Sequence, residues 1–189
     1  MSQVAANKLS LQDFLALPQS NERYEFIAGQ LKLKMSPKYK HASIQGRLFR
    51  LLDDWCDQEQ CGRVCLEWGV VLRRREEGWV PVPDLLYVSY ERLLEEWDLD
   101  EPCPVVPELV IEIISPGQTF GELTEKATDY LLAGVERVWL VDTSSQSVTI
   151  FRRGDLPVTV WSDSTIEDLL LPGLVLSVSR LFAKRGGSL

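Results

Sequence analysis

The chain has 189 residues, 45% of them hydrophobic and 25% charged, the composition of a soluble globular domain with room for one substantial core. That excludes disorder over most of its length, and no run approaches the roughly 18 apolar residues a membrane span needs. A net charge of −8, with a pI near 4.8, argues against a protein that coats nucleic acid non-specifically.

The opening MSQVAANKLS has neither a basic n-region nor a long apolar stretch, so no secretion signal is expected and the cytoplasm is the simplest placement. Residues 1–9 read as a tail, 10–182 as a single domain and 183–189 as a second tail. LSLQDFLALP predicts a short helix capped by Ser10 and stopped by Pro18. RYEFIAGQLKLKMSP predicts a hairpin turning at Ala28-Gly29. From His41 to Gln60 the residues Ile44, Leu48, Leu51, Leu52 and Trp55 recur at helical spacing, with Gly62 after the end. RVCLEWGVVLRRR and WVPVPDLLYVS read as two β-rich runs with a turn at Glu76-Glu77-Gly78, and 91–97 as a short acidic helix.

PELVIEIISP is bounded by prolines and almost continuously apolar, the signature of a strand covered on both faces. FGELTEKATDYLLAGV predicts a helix ending at Gly134, RVWLVD another buried strand, SVTIFRRG and PVTVWS a meander, and LPGLVLSVSRLF the close of the domain. Strand, helix and strand across 108–141 imply one parallel crossover, and the hairpins on either side imply antiparallel additions. The expected fold is α/β, a mixed sheet flanked by helices.

Cys56, Cys61, Cys65 and Cys103 lack the paired C-x-x-C spacing of a zinc site and read as ordinary thiols. Charge is unevenly spread. Residues 91–101 hold six acids and Arg92, whereas positive charge gathers at Lys32, Lys34, Lys38, Lys40, Arg47 and Arg50, and again at Arg73, Arg74 and Arg75. These groups could meet phosphates or be ordinary solvated charge.

Three residues stand out chemically. Glu112 shares a strand face with Val110 and Ile114, so its carboxylate must be paired, protonated or bound to a metal. Asp84 follows a proline and opens an apolar run; it is either a turn aspartate or a second carboxylate near the first. Two such acids suit magnesium, which takes one or two protein carboxylates and keeps several waters. Lys126 either pairs on the surface with Glu122, four residues earlier, or points back over the strand end to the two acids. His41, the only histidine, is either a surface or capping residue or a neighbour of a phosphate or metal. No G-x-x-x-x-G-K-[ST], H-E-x-x-H or G-x-S-x-G motif is present, so no nucleotide cofactor is expected.

Asp84 in VPDLLYV, then PELVIEIISP and GELTEKATDYLLAGVERVWLVD, together resemble the cyanobacteria-rich restriction-endonuclease family within the PD-(D/E)XK nuclease superfamily. YEFIAGQLKLKMSP is similar to that family's opening hairpin, and the likeness runs from about residue 10 to about residue 180. The resemblance implies a restriction endonuclease-like fold and magnesium-dependent hydrolysis of DNA, with manganese as a substitute ion. Asp84 and Glu112 would be metal ligands, and Lys126 and Glu25 further catalytic residues. Ile114 stands where the superfamily's Glu-x-Lys pattern has its lysine, so Lys126 would supply that cation from the next helix. Gln30 replaces a second acid. His41, Lys38, Lys40 and Arg73 are the candidate DNA contacts, and a homodimer is implied because cutting both strands often uses two subunits. The competing expectation is a non-catalytic binding or assembly module that keeps the nuclease fold.

Overall fold

The computed structural model describes residues 8–18 and 22–183. A short helix, α1 (Leu11–Leu15), opens with a capping box in which Ser10 and Asp13 satisfy each other's backbone N–H. Strands β1 (Tyr24–Ile27) and β2 (Gln30–Leu33) pair antiparallel with Ile27 opposite Gln30. The two-residue turn puts Ala28 and Gly29 at φ 50° and 85°, so glycine carries the left-handed conformation that the tight connection requires.

Helix α2 (Tyr39–Glu59) buries Ile44, Leu48, Leu52 and Trp55. Its C-cap is Gln60 in the left-handed conformation, not a glycine. Gly62 instead begins β3 (Gly62–Leu66), where an added Cβ would lie 2.4 Å from the Val88 carbonyl oxygen.

The next strands differ from the sequence expectation. Each of the two β-rich runs splits, the first into β3 and β4 (Leu72–Arg74), the second into β5 (Glu77–Val80) and β6 (Leu85–Ser89). β4 and β5 turn at Arg75 and Glu76, both at positive φ, so Glu77 and Gly78 already belong to β5. The second run breaks between Val80 and Leu85, where Pro81 and Pro83 lack the N–H groups that would continue a ladder. β1, β2, β4 and β5 form a four-stranded sheet in the order β2-β1-β5-β4.

Residues 91–97 form turns rather than a helix. Arg63 donates to the carbonyls of Leu94, Glu95 and Trp97, groups a longer helix would have used internally.

β7 (Leu109–Ile113), α3 (Phe120–Leu132) and β8 (Arg137–Asp142) form the expected parallel crossover. β9 (Ser147–Arg152) and β10 (Val158–Val160) continue antiparallel, completing a six-stranded mixed sheet in the order β10-β9-β8-β7-β6-β3. β11 (Thr165–Ile166), β12 (Leu176–Ser177) and α4 (Val178–Phe182) follow.

The core lies on both faces of that sheet. Leu109, Ile111 and Ile113 pack with Ile44, Leu48, Leu52 and Trp55 of α2. Val110, Val138 and Leu140 pack on the other face with Leu123, Ala127 and Tyr130 of α3 and with Trp79 of β5. Each of the fully buried aliphatic side chains contributes roughly 1.5–3 kcal/mol. β7 is thus covered on both sides, which makes the carboxylate of Glu112 chemically expensive. Among the described residues, no helix is long and apolar enough to cross a membrane.

Candidate active site

β6 and β7 pair with Leu85 opposite Ile111 and Leu86 opposite Val110. Extending that register by one residue sets Asp84 across from Glu112, at one end of the sheet and on the face that α3 covers. The backbone secures the arrangement, because the N–H of Ile113 donates to Asp84 Oδ2 at 2.7 Å. Both carboxylates are buried, Asp84 at 3% exposure and Glu112 at 5%.

Asp84 is held from three further directions. Lys34, just past β2, places Nζ 2.9 Å from Oδ1 and 2.7 Å from the Val82 carbonyl. His41, in the first turn of α2, donates its Nε2–H to Oδ2 at 3.0 Å, since an ionised carboxylate can only accept. Gln45, one turn on, donates to the Asp84 carbonyl at 3.1 Å. Burial pushes the Asp84 carboxyl up, but the His41 hydrogen bond and the Lys34 charge outweigh it and bring the value down to about 2.

Glu112 Oε1 accepts from the Tyr130 hydroxyl at 2.8 Å and pairs with Lys126 Nζ at 2.9 Å. Lys126 also reaches Glu25 Oε1 at 2.7 Å, and that oxygen accepts the Val82 N–H at 3.2 Å. Burial raises the Glu112 carboxyl above its ordinary value, with the Asp84 charge adding to the rise against the opposing pull of Lys126. Glu25 is lowered, because Lys126 overcomes the burial that pushes the other way. Burial would lower the Lys126 amine, but Glu112 and Glu25 hold it above its ordinary range. It therefore remains an ammonium group.

The structure thus brings together Asp84, Glu112, Lys126, Glu25 and His41. Together they border a cleft of about 510 Å³. Lys126 does not pair with Glu122, whose carboxylate closes a capping box on Thr119 with contacts of 2.8 and 2.9 Å. The sequence held that signal: Thr119-x-x-Glu122 has the capping-box spacing, which commits Glu122 and leaves Lys126 to turn inward. Arg73 does not reach the cleft; it lies against the Glu76 carbonyl and lines a different cavity. Lys38 and Lys40 are exposed at the start of α2, and Gln30 is exposed at the hairpin turn. Sequence reasoning misses Gln45 and Tyr130, and offers Lys34 only as a phosphate contact or a solvated charge, not as a partner of Asp84.

The donor set fits a hard divalent cation. Three carboxylates face two ammonium groups, leaving excess negative charge. Asp84 Oδ1 accepts one hydrogen bond and keeps a lone pair, and among the described residues nothing donates to Glu112 Oε2 or Glu25 Oε2. The described residues contain no cluster of three or more His, Cys, Asp or Glu arranged to hold a metal alone. Two carboxylates completed by water and a substrate phosphate are the usual magnesium arrangement.

Residues 11–179 match the family described as "Putative restriction endonuclease". A solved structure from Anabaena variabilis, described as a "putative nuclease belonging to DUF820", superimposes with a TM-score of 0.80 at 25% identity, covering 92% of this chain and 97% of that one. A DrdV–DNA complex solved by cryo-electron microscopy matches at 17% identity over 63% of this chain and 69% of that one, and its TM-score of 0.39 carries no weight. No curated protein matches the chain.

Proposed function

Because the chain belongs to the restriction-endonuclease family matched over residues 11–179, we propose that the Asp84–Glu112 cleft hydrolyses DNA phosphodiester bonds with magnesium, manganese being able to substitute. One observation supports this most directly. Two carboxylates from neighbouring strands and one amine from the following helix meet at a single cleft, with Lys126 2.9 Å from Glu112 and Ile113 N–H 2.7 Å from Asp84.

Asp84 and Glu112 would hold the ion. When bound, magnesium supplies a nucleophilic water of lowered pKa and neutralises charge on the leaving oxygen. Lys126, fixed between Glu112 and Glu25, keeps its proton and acts as a donor, orienting the attacking water and facing charge that develops on the phosphate. Glu25 positions Lys126. Lys34, His41 and Gln45 hold Asp84 in one orientation, as supporting groups do around a metal ligand. Lys38 and Lys40 offer charge for the phosphate backbone. Two subunits would let one cleft serve each strand, and the mass in solution tests that arrangement.

The test is cleavage of plasmid and linear DNA by the purified protein in magnesium, beside Glu112→Gln and Asp84→Asn proteins of unchanged circular dichroism. The expected result is cleavage by the parent and a loss of at least about a hundredfold in each variant. Variants that cut as fast as the parent would overturn the assignment. A parent that cuts neither DNA nor RNA, in magnesium or manganese, would leave the non-catalytic module, a reading that rests on Ile114 standing in the lysine position.

A further inference from the structure

Between Phe26 and Leu52 the chain carries six basic residues and no acid, although acids outnumber bases 28 to 20 overall. The middle of that stretch is Leu31-Lys32-Leu33-Lys34-Met35-Ser36-Pro37-Lys38-Tyr39-Lys40, and half of its residues line the carboxylate cleft. Lys32, Leu33, Lys34, Met35 and Pro37 line it, and His41 follows at its floor.

Two large side chains in this run face solvent almost completely, Met35 at 80% and Tyr39 at 83%. Leu31 and Leu33, in the same run, are exposed at 44% and 46%. Single exposed apolar residues are ordinary. An exposed aromatic set between two lysines, with cleft-lining Pro37 on one side in the chain and cleft-lining His41 on the other, is a different surface. Lysines alternating with an exposed ring and thioether match a single nucleic-acid strand, whose phosphates take the charge and whose unstacked bases take the flat face. A fully paired duplex offers the phosphates but keeps its bases stacked inside.

We propose that residues 31–40 form a stacking platform for DNA with an unpaired stretch. Tyr39 packs on a base, Met35 packs beside it, and Lys38 and Lys40 hold the flanking phosphates. This rests on the nuclease reading for the identity of the polymer and adds the form in which it is bound.

The test is fluorescence anisotropy with one labelled 20-nucleotide sequence offered as single-stranded DNA, as duplex, as duplex with a central unpaired bubble and as single-stranded RNA. Titrations run in EDTA, and again with calcium, which also seeks hard oxygen ligands. Single-stranded and bubble DNA should bind roughly tenfold tighter than duplex. Tyr39→Ala should weaken single-strand binding by roughly five- to a hundredfold, while Tyr39→Trp retains it. Lys38→Ala and Lys40→Ala should each lower the salt slope for single-stranded DNA by about 0.7.

Equal affinity for duplex and single strand in both buffers, or Tyr39→Ala binding like the parent, would overturn the platform even if plasmid cleavage proceeds. Tighter binding of RNA would overturn the assignment to DNA. Binding that depends on Tyr39 supports the platform, including in a protein that fails to cleave.

Discussion

Tyr130 donates its fully buried hydroxyl to Glu112 Oε1 at 2.8 Å, one helical turn beyond the Lys126 that meets the same oxygen. One face of α3 therefore supplies both partners of the carboxylate in the central sheet. Tyr130→Phe should cost about 2 kcal/mol, because it strips a hydrogen bond from a buried charged acceptor while preserving the ring. It should also weaken manganese binding about tenfold, as loss of an outer-shell partner does. Urea unfolding and calorimetric titration read the two effects separately, and a variant unchanged in both would show that the contact is dispensable.

Lys126→Met removes the cation shared by Glu25 and Glu112. Two buried carboxylates would then face each other without compensation, so a loss of about 3 kcal/mol is expected. Adding Glu25→Gln to that variant should recover part of the loss, because one of the two stranded charges disappears. Denaturation midpoints of the single and double variants decide. A double variant less stable than the single would contradict the shared-cation account.

Stability should respond to pH in opposite senses at the two acids. Asp84 titrates lower in the folded protein, at about 2, than in an unfolded chain, so its contribution is present above the ordinary value of 3.8 and disappears as pH falls toward 2. The size is about 2 kcal/mol. Glu112 titrates higher when folded, so its contribution favours the folded state at acid pH and is lost as pH rises through its raised value. Unfolding measured from pH 3 to 8 without metal should therefore show Asp84→Asn losing part of the acid-limb slope. Glu112→Gln should gain on the parent as pH rises above 4.5. Parallel curves for all three proteins would contradict both shifts.

A divalent ion bound at the cleft should raise the unfolding temperature as its concentration exceeds its dissociation constant, by about 2.7 kcal/mol at a hundredfold excess. Magnesium and manganese should stabilise the parent, and Asp84→Asn and Glu112→Gln should flatten the response. Stabilisation that survives both substitutions would place the ion elsewhere.

Gly62→Ala would drive a methyl group to 2.4 Å from the Val88 carbonyl oxygen, a backbone atom of the neighbouring strand β6. Relief requires the edge strand to shift, and a cost of about 3 kcal/mol is expected. Thermal unfolding would register it, and a change within half a kcal/mol would mean that the strand yields easily.

Much of the fold was legible because local pattern and tertiary environment agree. The proline-bounded run around Glu112 is apolar on both faces because β7 is buried on both faces, and the spacing of Ile44, Leu48, Leu52 and Trp55 is that of α2's buried stripe. Failures came where a distant residue decides. The acidic stretch 91–97 looked helical but folds as turns, docked by Arg63 from about thirty positions earlier, which donates to the carbonyls of Leu94, Glu95 and Trp97. The two β-rich runs looked continuous, but each is divided between two sheets. At the cleft, the two acids could be picked out because carboxylates in apolar strands demand an explanation. Lys34 could not, since nothing local to a hairpin lysine reveals a partner fifty residues away. Lys126 was ambiguous between two helical neighbours until the capping box on Thr119 claimed Glu122.

The crossover from β7 through α3 ties the chemistry to helical phase. Lys126 meets Glu112 only because it stands six positions after Phe120, where the helix begins. One residue inserted between Phe120 and Lys126 would turn the ammonium by about 100° around the helix axis, away from the strand. The same insertion in the loop before Thr119 could be absorbed there. Length variation in this part of the chain should accordingly be tolerated before the cap and forbidden after it.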